Sequence, residues 1–149
     1  MKYLTIIICF ATLLIFFNSC KKNNTVKNTG NSTSIIGAWE LESAYGGTPL
    51  VHYPSGNGNI IEFTDSIYKK YANGNLIKSG YYTITRDTSV REAVGILVAP
   101  GQFTDRMIFD NDTVSNKTFI DISDNKLTFL SGFFPFDGGS SVSYERKQN

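Results

Sequence analysis

The sequence predicts an all-β domain, an antiparallel meander barrel of about eight or nine strands, behind an export leader and a disordered tether. Three observations carry this. After residue 35 no stretch shows a sustained 3.6-residue apolar period, so helices are not expected. Short runs rich in β-branched and aromatic residues alternate with Gly, Asn and Asp at near-regular spacing, the pattern of an antiparallel sandwich or barrel. The first 34 residues have a different composition from the rest.

The leader is "YLTIIICFATLLIFF", residues 3–17, uncharged and preceded by Lys2. A basic start and an apolar run of this length make a signal peptide, and the run is shorter than the ~20 residues a membrane-spanning helix needs. The small Ser19 precedes Cys20, so cleavage there makes Cys20 the first residue. Cys9 leaves with the leader, and the mature chain keeps one thiol, which excludes an internal disulfide.

"FFNSC", residues 16–20, resembles a loose lipobox of bacterial lipoproteins, with Phe17 where that pattern usually has Leu. The resemblance implies a diacylglyceryl group on the Cys20 thiol and a further acyl chain, such as palmitate, on its amine. Each buried methylene adds about 0.8 kcal/mol, so two or three chains hold where one does not. It also implies a place in the cell envelope of a Gram-negative bacterium, anchored by lipid in the outer membrane. The segment "KKNNTVKNTGNSTS", residues 21–34, has only Val26 as an apolar residue and reads as a flexible tether. The chain therefore divides into a lipoprotein signal peptide (1–19), a lipidated cysteine and tether (20–34) and a barrel domain (35–149).

Nine runs read as strands: "GAWELESAY", "NIIEFTD", "SIYKKYANG", "LIKSGYYTITRD", "VREAVGILVA", "DRMIFD", "KTFIDISD", "KLTFLSGFF" and "SVSYERK". Asn73-Gly74 and Asp124-Asn125 are the turn signals between neighbouring runs. In the first run Trp39, Leu41, Ser43 and Tyr45 should share one face, with Glu40 and Glu42 on the other, outer one. Residues 48–58 read as a loop. Interior candidates are Ile61, Phe63, Tyr82, Ile84, Ile96, Val98, Met107, Phe109, Ile120, Ile122, Leu127 and Phe129. Closing such a sheet on itself removes its exposed edges.

"GAW", residues 37–39, resembles the G-x-W start of lipocalins, and "EFT", "NG" and "SGYYTI" are similar to the lipocalin-like domains of bacterial lipoproteins. The resemblance implies a basic residue late in the last strand, here Arg146, packed over Trp39 to close the barrel base. It also implies that a small apolar ligand is taken in or at the mouth of the barrel.

Chemistry is sparse. The folded part carries ten basic and thirteen acidic side chains, a balance unlike that of nucleic-acid binders. The single His52 sits in a loop with no marked nucleophile near it, so no catalytic residue is expected and the chain reads as no enzyme. Neither a metal site nor a cofactor is expected. "DNDTVSN", residues 110–116, resembles a calcium loop only superficially and reads as a solvated turn. The most suggestive stretch is "SGFFPFDGGSS". Its Phe133, Phe134 and Phe136 fit a lid at the barrel mouth, a plug of the core or a contact patch. With Tyr53 and Tyr82 they are the ligand-binding candidates. Expected partners are the membrane, through acylated Cys20, and either an apolar ligand or an envelope protein. An open interior above ~300 Å³ favours a ligand, and a filled one favours contact.

Overall fold

The computed structural model describes residues 34–47 and 49–148. Cys9, Cys20, the expected signal peptide and nearly all of the expected tether lie outside the described residues. The strands are β1 (Gly37–Tyr45), β2 (Val51–His52), β3 (Ile60–Phe63), β4 (Ile67–Ala72), β5 (Asn75–Arg86), β6 (Asp105–Phe109), β7 (Thr118–Ser123), β8 (Lys126–Ser131) and β9 (Ser140–Arg146). Each of β3 to β9 pairs antiparallel with its sequence neighbour, and β1 pairs with both β3 and β9. Eight strands thus close into a meander barrel, and the two-residue β2 lies against the end of β1 through Ser43↔His52.

Turn chemistry sets the short connections. Asn73 and Gly74 both take positive φ, 49° and 78°, which matches the twist of a two-residue hairpin between β4 and β5. Asp124 does the same between β7 and β8 at φ 54°.

Several expectations need correction, the first being the loop expected over residues 48–58, which contains strand β2. "VREAVGILVA" is not a strand: Val90–Val94 form a short helix, α1, ended by Gly95 in the left-handed conformation. Five residues are too few for a helical period to show against neighbouring apolar residues. The run lies on the outer wall of the barrel, where Val90, Val94 and Phe103 are buried with Phe119 and Leu130. Ile96 and Val98 pack there too and are not interior residues. Phe119 and Ile120 are adjacent in β7, so they face opposite ways, yet both are buried. β7 and β8 are therefore covered on two sides, inside by the barrel core and outside by α1 and its flanks.

A further correction concerns β1. Register runs Leu41↔Tyr144 and then Ser43↔Ser143 and Ala44↔Val142, so Glu42 is an extra residue in a β-bulge. Beyond it the faces exchange. Ala44 joins the inner face with Val142 and Tyr144, while Ser43 and Tyr45 turn outward. Ile84 also departs from expectation, being 42% exposed in the tail of β5.

The interior is filled with side chains. Trp39, Ile61, Phe63, Tyr68, Tyr82, Met107, Ile120, Leu127 and Phe129 are buried together, with Phe109, Ile122 and Tyr144 packed against them. Aromatic edges interlock: Tyr68 meets Phe109 at 4.7 Å between centroids, Phe63 meets Tyr82 at 4.9 Å and Phe129 meets Tyr144 at 5.7 Å. Eight strands make a barrel that bulky side chains alone can fill.

Candidate functional site

At one end of the barrel Trp39 is fully buried, and its indole N–H donates to Ile35 O at 2.7 Å. The Arg146 guanidinium lies over the indole, 4.1 Å from its centroid. Arg146 also donates to Ile36 O at 3.0 Å and to Ser34 O. One cation therefore ties the last strand to the segment entering the first. This is the arrangement the sequence resemblance implied for Trp39 and Arg146.

The ligand candidates do not converge. Tyr82 lies in the core, its hydroxyl donating to Thr64 O at 2.6 Å, and burial raises its pKa. Tyr53 is half-buried and lines an outer hollow of about 400 Å³ whose other walls include Glu40, Glu42, Glu145 and Arg146. Phe134 stacks on Tyr45, 6.0 Å between centroids, and packs on the outer cluster around α1. Phe133 and Pro135 close over Gly95 at the end of α1. Phe136 is 85% exposed, with its ring 5.5 Å from that of Phe133. The aromatic turn is thus neither a lid nor a plug. It braces the outer wall and leaves Phe136 and part of Phe133 facing water.

Carboxylates that looked merely solvated have structural tasks. Glu40 accepts from the Gly56 N–H at 2.9 Å and the Gly58 N–H at 3.2 Å, holding the loop between β2 and β3. Glu42, on its bulge, pairs with Lys126 at 2.8 Å. In the turn resembling a calcium loop, Asp112 accepts from the N–H groups of Val114 and Ser115, both at 3.0 Å. Among the described residues no group of three or more His, Cys, Asp or Glu is placed to hold a metal. His52 is exposed on β2.

One network was invisible in the sequence. Register places Lys70 and Lys78 opposite each other and in line with buried Ile61, so both lysines start from the inner face. Lys70 sits 5.2 Å over the Phe109 ring, and burial lowers its pKa. Lys78 pairs with Asp110 at 2.9 Å, and hydrogen bonding to Tyr68 and Asp110 raises its pKa. Asp110 also accepts from the Tyr68 hydroxyl at 2.8 Å and from the Tyr81 N–H at 3.1 Å. The ammonium of Lys78 and the Tyr68 hydroxyl depress its pKa. The residues are far apart in sequence and no local pattern joins them.

Comparison with protein-family models, curated proteins and solved structures found no match to this chain.

Proposed function

We propose that this chain is a non-enzymatic, lipid-anchored protein of the cell envelope whose barrel works by surface contact, as an accessory subunit, inhibitor or adhesin-like module. The observation that carries the reading is the filled interior. Trp39, Phe63, Tyr68, Tyr82 and Phe129 occupy the space that a guest in the barrel would need. Apolar surface is offered outside instead, at Phe136 and Phe133. Exposed aromatics clustered in a turn reduce solubility unless a partner covers them. The anchor rests on "FFNSC" and on the polar segment that follows it.

Site-specific photocrosslinking from position 136 in intact cells tests the contact. A discrete crosslinked envelope protein, lost when Phe133 is changed to Ser, supports it. A chain that stays uncrosslinked overturns it. Fractionation of Cys20→Ser tests the anchor separately. Release of the variant into the soluble periplasmic fraction is expected, and retention in the membrane contradicts acylation.

The apolar-ligand reading finds no support in the buried centre of the barrel. It survives only for a site on the barrel wall.

A further inference from the structure

The chain enters the barrel at its base. Ser34 is the first described residue, and its carbonyl and that of Ile36 accept from Arg146. Residues 21–33 separate it from Cys20. As a coil, a segment of that length spans about 20 Å.

The strand directions fix what else lies at this end. β1 runs away from it, β3 returns to it, β4 starts from it and β5 returns to it. Ile36, Ile67, Tyr81 and Ile84 therefore stand around the base, and all four are exposed, Tyr81 at 65%. Ile67 and Tyr81 are cross-strand partners. Each precedes a buried residue, Tyr68 and Tyr82, so both start from the outer face. Ile84 shares the inner face with Tyr82, but β4 begins at Ile67 and does not reach far enough to cover it. Ile36 precedes Gly37, whose partner is Phe63, and the turn after Phe63 leads to Ile67. Three isoleucines and a tyrosine thus follow one another along the rim.

The aromatic turn lies at the other end. Phe134 stacks on Tyr45, the last residue of β1. The strand from Gly37 to Tyr45 is about 27 Å long. Turning that end toward an anchor at Cys20 requires the tether to run back along the wall, farther than its coil reach. The base is the end that such an anchor holds against a bilayer. Aliphatic side chains enter the acyl boundary, and a tyrosine, apolar in its ring and polar at its tip, sits at headgroup level. A tether makes the contact intramolecular, so a few side chains suffice. Asp65, in the turn between β3 and β4, disfavours a strongly anionic surface.

We propose that the base rim, formed by Ile36, Ile67, Tyr81 and Ile84, rests on a bilayer of neutral headgroups and holds Phe133 and Phe136 away from it. The inference rests on the lipid anchor proposed above and gives the contact role a direction.

Depth-dependent quenching tests it on the full-length chain, purified from cells in mild detergent and reconstituted into phosphatidylcholine vesicles. A single NBD fluorophore is placed on Thr83→Cys, beside Tyr81, or on Val114→Cys, in the exposed loop after β6 at the far end. Shallow doxyl-labelled phosphatidylcholine should quench the probe at 83 at least about twofold more than the probe at 114. Ile67→Asp together with Tyr81→Asp should remove that difference while the chain still floats with the vesicles. Equal quenching at both positions, stronger quenching at 114, or a difference that survives the double substitution overturns the docking and leaves the anchor standing. A chain that does not float with the vesicles, or whose Cys20 takes the fluorophore, overturns the anchor and the docking with it.

Discussion

The carboxylate of Asp110 occupies the space that a side chain at residue 80 would need. A Cβ built on Gly80 runs into the Asp110 side chain and comes within 3.0 Å of the Tyr68 ring. Gly80 is thus the seat on which Asp110 rests while it gathers Tyr68, Lys78 and the Tyr81 N–H. Thirty residues apart in sequence, the two positions are fixed by β5 and by the end of β6. Gly80→Ala should therefore destabilise by about 1–3 kcal/mol through overpacking. In an Asp110→Gly background the same change should cost about 0.5–3 kcal/mol less, because the obstruction is gone. Urea denaturation of the four chains of that cycle measures it, and simple additivity would refute the packing relationship.

Trp39 and Arg146 join the two ends of the folded chain. Trp39→Ala should cost about 3–5 kcal/mol. Arg146→Gln should cost about 0.5–2 kcal/mol from the lost cation–π contact. A loss under ~1 kcal/mol for Trp39→Ala in a denaturant titration would mean that the barrel does not depend on this closure.

Phe119 tests the outer cluster. It points away from the barrel interior, so without α1 above it a change there should matter little. Because Phe119 is fully buried against Val90, Val94, Phe103 and Leu130, Phe119→Ala should cost about 3–5 kcal/mol. A near-neutral variant in thermal or chemical unfolding would show that α1 and its flanks do not cover the wall.

Acid should weaken the attachment of the same segment. Hydrogen bonds from Lys117 and Ser89 hold the Asp87 carboxyl down to about 2. Lys117 lies 2.8 Å from both Asp87 and the Ser89 hydroxyl. A depressed carboxyl stabilises the fold above its ordinary pKa, near ~3.9, and loses that contribution as pH falls toward about 2. The effect is modest because the Lys117 side chain is 38% exposed and salt screens the pair there. Stability of the wild-type chain should fall from pH 5 to pH 2 more steeply than that of Asp87→Asn. Parallel curves would remove Asp87 from the account.

Much of the barrel was legible because its signals are local. Asn73-Gly74 names its own hairpin through positive φ, and the alternation in "NIIEF" places Ile61 and Phe63 on one face. Trp39 and Arg146 were legible only through the resemblance of residues 37–39 to a G-x-W start, which implies a basic residue late in the last strand. What escaped depends on contacts across the sheet. Five residues of α1 are too short to show a period. The bulge at Glu42, which sends Tyr45 outward onto Phe134, has no glycine or proline to announce it. The adjacent apolar pair Phe119-Ile120 was the one available hint that β7 is covered on both sides.

The central claim is that the barrel is filled by its own side chains and works from its outer surface. Native mass spectrometry of the full-length chain, purified from cells in mild detergent, tests it most directly. The account predicts a folded chain carrying no long-chain apolar guest. A stoichiometric long-chain apolar guest retained by the folded protein would contradict it.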